Sequence, residues 1–576
     1  MQYITHTIRT LLLLAVILSI SSCKRSQKIA LEQESIDRIE QMPNLPQPLK
    51  IIDWKKKALQ FDSLVFNFNN TTPFGPLIWL DSAGRNFNQV TYGLYTVIGD
   101  VRQGSKNYNG EFHEALTSFQ SLISAGLLGI DKTNQDGYNY VKMSQNYFNS
   151  ATGWNIMMNN TNPEVAMAGG GYGRDWWYDV YPNVLYYAVA DLFPQVENTE
   201  FIQRSIAEKF YKADSVLKGN YDYSYFDYAQ MKGMSNNIPQ QQDAAGGHSW
   251  VMYSAWEKFG DKRYLEGAKS ATEALLNQEE SRFYEILLPF GAYTAARLNA
   301  EEGTNYDVKK LLEWTFDGCQ SKDGRYGWGV IAEKWGDMDV HGLQGSITDG
   351  GGYGFFMNSV AMAWPLVPMV KYEPKFARAI GKYMLNAVNA SRLFYPDQVA
   401  DDHQVLAKKK DIVNGIIGYE GVRKIDDYNY EALKGKSPIS TGDGPKWVAG
   451  QPEESVFSLY STAVAGIFGA IVTPTNIEGI LQLDCNITDF YGENKYPQYL
   501  FYNPYDEDKT IEFNTESPSD LYDILTRTYI RESSNGKTGI TIPANNAVLM
   551  VVLPDDSKVT SDGTRLKVND IVISYK

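Results

Sequence analysis

Between about residue 110 and 475 the helix-like segments come in twos, and this pairing limits the fold more than any other feature of the chain. One member is apolar nearly all round and opens after a glycine-rich or polar loop. The other follows a short turn and carries charge along one face. In the clearest case Gly246-Gly247-His248 leads into residues 249–259, where Trp250, Val251, Tyr253 and Trp256 are spread round the helix. After Gly260-Asp261-Lys262 comes 263–277, with Glu266, Lys269 and Glu273 on one side. A helix apolar on every side has to be enclosed, whereas a striped one faces water with its charged side. Further pairs are predicted at 176–192 with 200–217, 285–299 with 306–316, and 353–370 with 373–390. Another enclosed helix is predicted at 455–472, and earlier helices between 113 and 159. Repeated hairpins of this kind demand a ring of inner helices wrapped by outer ones, because a simple helical-repeat array would keep a more even period.

The pattern changes from Ile480. Short runs such as 498–502, 510–513, 539–542 and 547–553, then 565–568 and 571–574, are separated by Asn, Pro, Gly and Asp. Residues 479–576 are therefore expected to form a β-sandwich of about a hundred residues behind a helical domain at 51–478.

The N-terminus reads as an export signal. A polar opening with Arg9 precedes the apolar stretch 11–20, too short to span a bilayer, and small residues lead to Cys23. The stretch Ser19-Ile20-Ser21-Ser22-Cys23 resembles a bacterial lipobox, which implies a cleaved signal (1–22) and acylation of Cys23; two or more acyl chains hold a protein to a membrane far better than one. Residues 23–50, with prolines at 43, 46 and 48, are expected to act as a semi-rigid tether. Surface-exported lipoproteins of the Bacteroidetes tend to carry acidic residues just after the acylated Cys. Here Lys24-Arg25 follows it, which points to an anchor in the outer membrane facing the periplasm.

Net charge is −15 with acidic residues spread along the chain, so nucleic acid is excluded as a partner for want of a basic face. Beyond Cys23 only Cys319 and Cys485 remain, too few and too far apart for a disulfide framework or a zinc cluster. The 39 Tyr, 25 Phe and 12 Trp leave two readings open: an ordinary aromatic core, or platforms for the apolar faces of sugar rings.

The loop Gly246-Gly247-His248-Ser249-Trp250, the turn Phe259-Gly260-Asp261-Lys262-Arg263-Tyr264-Leu265 and the stretch Ala295-Ala296-Arg297-Leu298-Asn299-Ala300-Glu301 resemble the six-hairpin, or alpha/alpha-toroid, glycosidase superfamily. The likeness covers roughly residues 60–475 and is one of architecture and local phrasing, in a chain that is similar to Bacteroidetes-type lipoproteins. It implies a mainly α fold, an (α/α)6-toroid-like barrel followed by the β-sandwich, and a carbohydrate as partner. The reaction has to be argued from the site.

Loops that lead into inner helices would line one end of the ring. Four of them carry acidic residues: 169–179 with Asp175, 240–248 with Asp243, 341–353 with Asp349, and 450–455 with Glu453. Glycoside hydrolysis needs one protonated and one ionised carboxyl group across the scissile bond, so Asp175, Asp243, Asp349 and Glu453 are the candidate catalytic residues. An Asp before a helix is also a common cap, which each of them could be alone. Tyr172, Arg174, Trp176, Trp177, His248, His341 and Tyr353 are candidates for holding substrate, although neighbours on a helix such as Trp176 and Trp177 cannot both face one cavity. The triple glycines at 169–171 and 350–352 lack the Gly-Lys-Ser/Thr ending of a phosphate loop. No cofactor or metal is expected; Asp401-Asp402-His403 has no partner at ligand spacing. The expected activity is hydrolysis of an oligosaccharide or polysaccharide fragment. A polysaccharide lyase on the same scaffold, using Tyr or His as base, stays open, and so does a glycan-binding lipoprotein without catalysis. The helical starch-binding lipoproteins of the Bacteroidetes have similar size, but their terminal motifs are not found here.

Overall fold

The computed structural model describes residues 30–162, 175–318, 327–346, 352–425 and 431–575. Its principal helices are α1 (Trp54–Val65), α2 (Ala115–Leu127), α3 (Trp176–Leu192), α4 (Thr199–Leu217), α5 (Ala244–Phe259), α6 (Lys262–Leu276), α7 (Leu287–Glu302), α8 (Val308–Asp317), α9 (Phe356–Ala361), α10 (Ala363–Tyr372), α11 (Ala377–Ala390), α12 (Leu459–Thr462) and α13 (Ala465–Ile471).

Burial follows the alternation seen in the sequence. Helix α3 is buried on every side from Trp176 to Ala190 apart from Tyr178, while α4 buries only a stripe that includes Ile202, Ile206, Phe210, Ala213 and Leu217. The enclosed helices touch in sequence: α2 packs on α3, α3 on α5, α5 on α7, α7 on α10, α10 on α13, and α13 returns to α2. Helices α4, α6, α8 and α11 lie against them, and α1 covers α13.

Gly246 and Gly247, expected in a loop, lie inside the first turn of α5. A Cβ on Gly246 would come within 2.5 Å of the Leu287 carbonyl, and Gly291 of α7 faces Gly246 just as closely. The pair lets two inner helices touch backbone to backbone, which no larger residue permits. The stretch 353–370, expected as one helix, starts instead as a strand and then breaks into α9 and α10.

That strand belongs to a five-stranded antiparallel meander of β1 (Trp328–Val330), β2 (Gln344–Ser346), β3 (Tyr353–Phe355), β4 (Gly421–Arg423) and β5 (Ile439–Thr441), paired in chain order. Strands of three residues separated by long loops leave no alternation to read in a sequence.

The C-terminal region differs from the expected pair of facing sheets. Strands β6 (Val472–Pro474), β7 (Leu481–Asp484), β8 (Gln498–Tyr502), β9 (Lys509–Asp523), β10 (Thr528–Ile542) and β11 (Ala547–Pro554) form one antiparallel sheet in the order β6-β7-β8-β11-β9-β10. Its inner face, with Tyr502, Leu549 and Val551, joins the helical core, and β8 and β11 contact α11. The outer face is covered by the sheet's own long hairpin: β9 pairs with β11 only at Ser519–Asp523, and Ile511, Phe513 and Ile540 pack on Phe501, Val548 and Met550. Register shifts between Thr515 and Tyr522 mark the bend that brings them there. The last strands, β12 (Thr560–Ser561), β13 (Arg565–Val568) and β14 (Ile571–Tyr575), make a separate small sheet whose Leu566, Val568 and Ile573 join the helical core.

Residues 30–50, expected as a tether, lie against this body. Ile36, Ile39 and Met42 are buried, Leu31 N donates to Leu525 O, Glu34 N to Lys375 O, and Glu40 pairs with Arg378.

Candidate functional site

Acidic residues stand immediately before four successive enclosed helices. Glu114 precedes α2, Asp175 precedes α3, Asp243 precedes α5, and Glu285 lies two residues before α7. Chain starts on one rim of the circuit thus carry the carboxylates, and the short sheet supplies the other wall with Trp328, Tyr353, Phe355, Glu420, Arg423 and Asp443.

The groups are within electrostatic reach of one another. Burial pushes the Asp243 carboxyl well above its ordinary range; a hydrogen bond from Tyr284 N opposes the rise, and Asp175 and Glu285 add to it. Burial lifts the Glu114 carboxyl to about 7, against a bond from Asn159 and the charge of Arg102. Glu420 is raised by burial and by Asp443, whose backbone N–H it accepts, with Glu285 contributing. The Tyr460 phenol feels Tyr178, Glu285, Glu114 and Glu420 in addition to its burial. Glu285 therefore perturbs Asp243, Glu420, Tyr178, Tyr353 and Tyr460 alike, which puts it in the middle of the set.

Glu285 is also held in an unusual way. Its φ is +61°, the left-handed region that a non-glycine residue enters only at a cost of about 1–3 kcal/mol. Gln344 Nε2 donates to its carbonyl at 2.8 Å, and Asn358 Nδ2 to its carboxylate Oε2 at 2.8 Å. Asp175 caps α3 by accepting from Trp177 N at 3.1 Å, whereas Asp243 makes no cap bond although it sits at the corresponding position of α5. Asp243 Oδ2 accepts from Tyr284 N at 3.2 Å, and its Oδ1 has no partner among the described residues.

Aromatic rings surround the acids. Trp177 touches Tyr178 at 4.4 Å and Tyr460 at 6.4 Å between ring centres; Tyr460 meets Phe355, which stacks with Tyr353 and meets Trp328. Tyr178 and Tyr353 are half-buried and give the group its accessible surface. Among the described residues, Arg102 pairs with Asp100 at 2.7 Å and Arg423 with Asp443 at 3.0 Å.

Of the residues named from sequence, Asp175, Asp243, Trp177 and Tyr353 are brought together here. Trp176 is not: it faces the other way, stacked on Phe226 beside Tyr221 and His248. His248 is enclosed on α5, bonded to Tyr228 OH at 2.7 Å and stacked on Phe210, and burial pushes its pKa down to about 3, so it is a neutral core residue. His341 pairs with Asp339, and the next residue, Gly342, presses on Ala387 of the outer helix α11. Glu453 is half-exposed and paired with Lys409, at the head of a 3-10 turn (453–456) whose other residues are buried, where the start of an enclosed helix was expected. Asp401 and Asp402 pair with Lys410 and Lys436 on the surface, and among the described residues no cluster has metal-ligating composition. Tyr172, Arg174, Asp349, Cys23 and Cys319 lie outside the described residues; Cys485 is a buried free thiol. Glu114, Glu285, Glu420, Tyr178 and Tyr460 were not singled out from sequence, although Glu114 and Glu285 obey the same rule of an acid before an enclosed helix.

No family model and no curated protein matches the sequence. Among solved structures, the chain is similar to a GH127 β-L-arabinofuranosidase from Geobacillus stearothermophilus T6, with 10% identity over 91% of this chain and 85% of that one and a TM-score of 0.37. A second GH127 β-arabinofuranosidase gives 10% identity, 92% and 85% coverage and a TM-score of 0.36. A structure described only as a glycoside hydrolase gives 11%, 80% and 76%, and 0.34. Structural neighbours of this chain are thus glycoside hydrolases, at TM-scores where the chemistry has to be derived from the chain's own side chains.

Proposed function

We propose that this chain is a glycoside hydrolase whose helical part is a six-hairpin toroid, with Asp243 as general acid and Glu285 as the ionised carboxylate. The observation that carries the reading is that these two carboxyl groups are buried within electrostatic reach of one another. Asp243 is held protonated by burial beside Asp175 and Glu285, and one of its oxygens is uncommitted. Glu285 is fixed in place by Asn358 at its carboxyl group and by Gln344 at its carbonyl. Acid-assisted cleavage of a glycosidic bond uses one protonated and one ionised carboxyl group side by side. Asp243 would protonate the leaving oxygen while Glu285 activates water or attacks the anomeric carbon. Aromatic rings at Tyr178, Tyr353 and Tyr460 offer faces for the sugar. The sugar is read as neutral, since Arg102 and Arg423 are each paired with a carboxylate of their own and many acids stand nearby.

The test is a panel of aryl glycosides of neutral pentoses and hexoses. Asp243→Asn and Glu285→Gln should each lower kcat/KM at least 100-fold on whichever substrate the wild type cleaves, in line with the usual contribution of such groups. Wild-type turnover in either variant would remove that residue from the mechanism. The proposal includes an exported lipoprotein anchored through Cys23 to the outer membrane and facing the periplasm, supported by the sequence 11–23; Cys23→Ser should then release the protein from the membrane fraction.

A further inference from the structure

Trp177, Gln241 and Asp243 meet at the starts of α3 and α5, and each carries a buried polar atom without a partner among the described residues: Trp177 Nε1, Gln241 Nε2 and Asp243 Oδ1. Their residues are 3%, 1% and 1% exposed. Leaving a buried polar group unbonded costs about 1–3 kcal/mol, so three together at one place call for a polar guest.

Gln241 is oriented by the backbone. Its Oε1 accepts from Trp177 N at 3.1 Å, alongside the cap bond from the same N–H to Asp175 Oδ1. Only the amide oxygen can take that bond, so the NH2 group must turn the other way. The Trp177 ring is clamped between Tyr181, Tyr178 and Tyr460, which fixes where its N–H points. Indole N–H and amide NH2 only donate, so the guest has to present oxygen acceptors there. Asp243, two residues from Gln241, lies within electrostatic reach of Asp175 at the same helix start.

We propose that Trp177 and Gln241 form a hydroxyl-recognition subsite, each donating to one of two neighbouring hydroxyls of the sugar whose leaving oxygen takes the proton of Asp243. The assignment rests on the hydrolase reading and deepens it. It gives Trp177 an edge-on polar role, not that of a flat platform, and makes Gln241 a specificity residue. A buried site built to bond a hydroxyl rejects an analogue that lacks it, because its own donor is then stranded.

The experiment uses the full chain, one aryl glycoside that the wild type cleaves, and its monodeoxy analogues at each ring position. Wild type should lose at least 30-fold in kcat/KM on two adjacent deoxy positions. Trp177→Phe keeps the ring and removes the N–H. It should lose 10- to 100-fold on the parent and show little further loss on one of those two analogues, with an unchanged melting temperature. Gln241→Glu keeps the oxygen that Trp177 N needs, and should do the same for the other position. Variants that discriminate parent from deoxy sugars as the wild type does would overturn the proposal and leave trapped water as the guest. Should the wild type cleave nothing, the hydrolase reading fails separately. Calorimetric titration with the methyl glycosides of the same sugars then decides the subsite: tenfold weaker binding in Trp177→Phe supports it, and equal or absent binding overturns it.

Discussion

Glu285 illustrates what a single residue reveals only in three dimensions. In the sequence it is the first residue of a predicted helix; in the structure it sits before the helix at positive φ, its carbonyl and carboxylate each pinned by an amide. Left-handed backbone at a glutamate has no sequence signal, because nothing local favours it. Asp175 and Asp243 were legible because short acids before helices are conspicuous, and Glu114 was not, because helices before residue 159 were read only in outline. Glu114 also makes a prediction about pH. Its folded pKa of about 7 lies above the ordinary 4.5, so the folded state binds the proton more tightly than the unfolded chain does. Its contribution to stability is then fully present at low pH and is lost as pH rises through about 7. Glu114→Gln should therefore raise the melting temperature at pH 8 by a few degrees relative to wild type, and make no such difference at pH 5. A variant that melts lower at pH 8 would contradict the burial described for this side chain.

Elements differ in how openly the sequence announces them. Helices of three turns or more carry their period, so α3, α4 and α6 fall close to their expected bounds, while α5 starts earlier, at Ala244 where residue 249 was expected. The five-stranded meander does not, and with it Glu420, Asp443 and the strand at Tyr353–Phe355 stayed hidden. Residues 30–50 were misjudged for another reason: the prolines suggested a spacer, while Ile36, Ile39 and Met42, three apart, form a short apolar edge that needs cover. Burying a side chain of this size contributes roughly 1.5–3 kcal/mol. Ile39→Asp should accordingly lower stability by several kcal/mol in chemical denaturation; an effect below about 0.5 kcal/mol, typical of a surface change, would mean the segment is not docked in solution.

At the scale of the whole molecule, the sheet region packs on the helices through its inner face and is tied to them again through the loop after β7. Asp489 accepts from Tyr293 OH at 2.5 Å and from Lys371 Nζ at 2.6 Å, while Phe490 packs on Trp364 and Tyr491 on Tyr187 and Trp250. Removing one member of such a buried ionic pair strands the other, at about 3–5 kcal/mol. Calorimetry should show helices and sheet unfolding in a single transition, moved to lower temperature by Asp489→Ala; two well-separated wild-type transitions would refute this linkage.

The same loop decides how the protein can be cut down for study. A fragment ending near residue 478 would strip the rings of Tyr491 and Phe490 from Trp250 and Trp364 and leave Lys371 without its counterion. Such a fragment should come out of cells as a sticky, self-associating species, whereas two halves expressed separately and mixed should rescue one another's solubility.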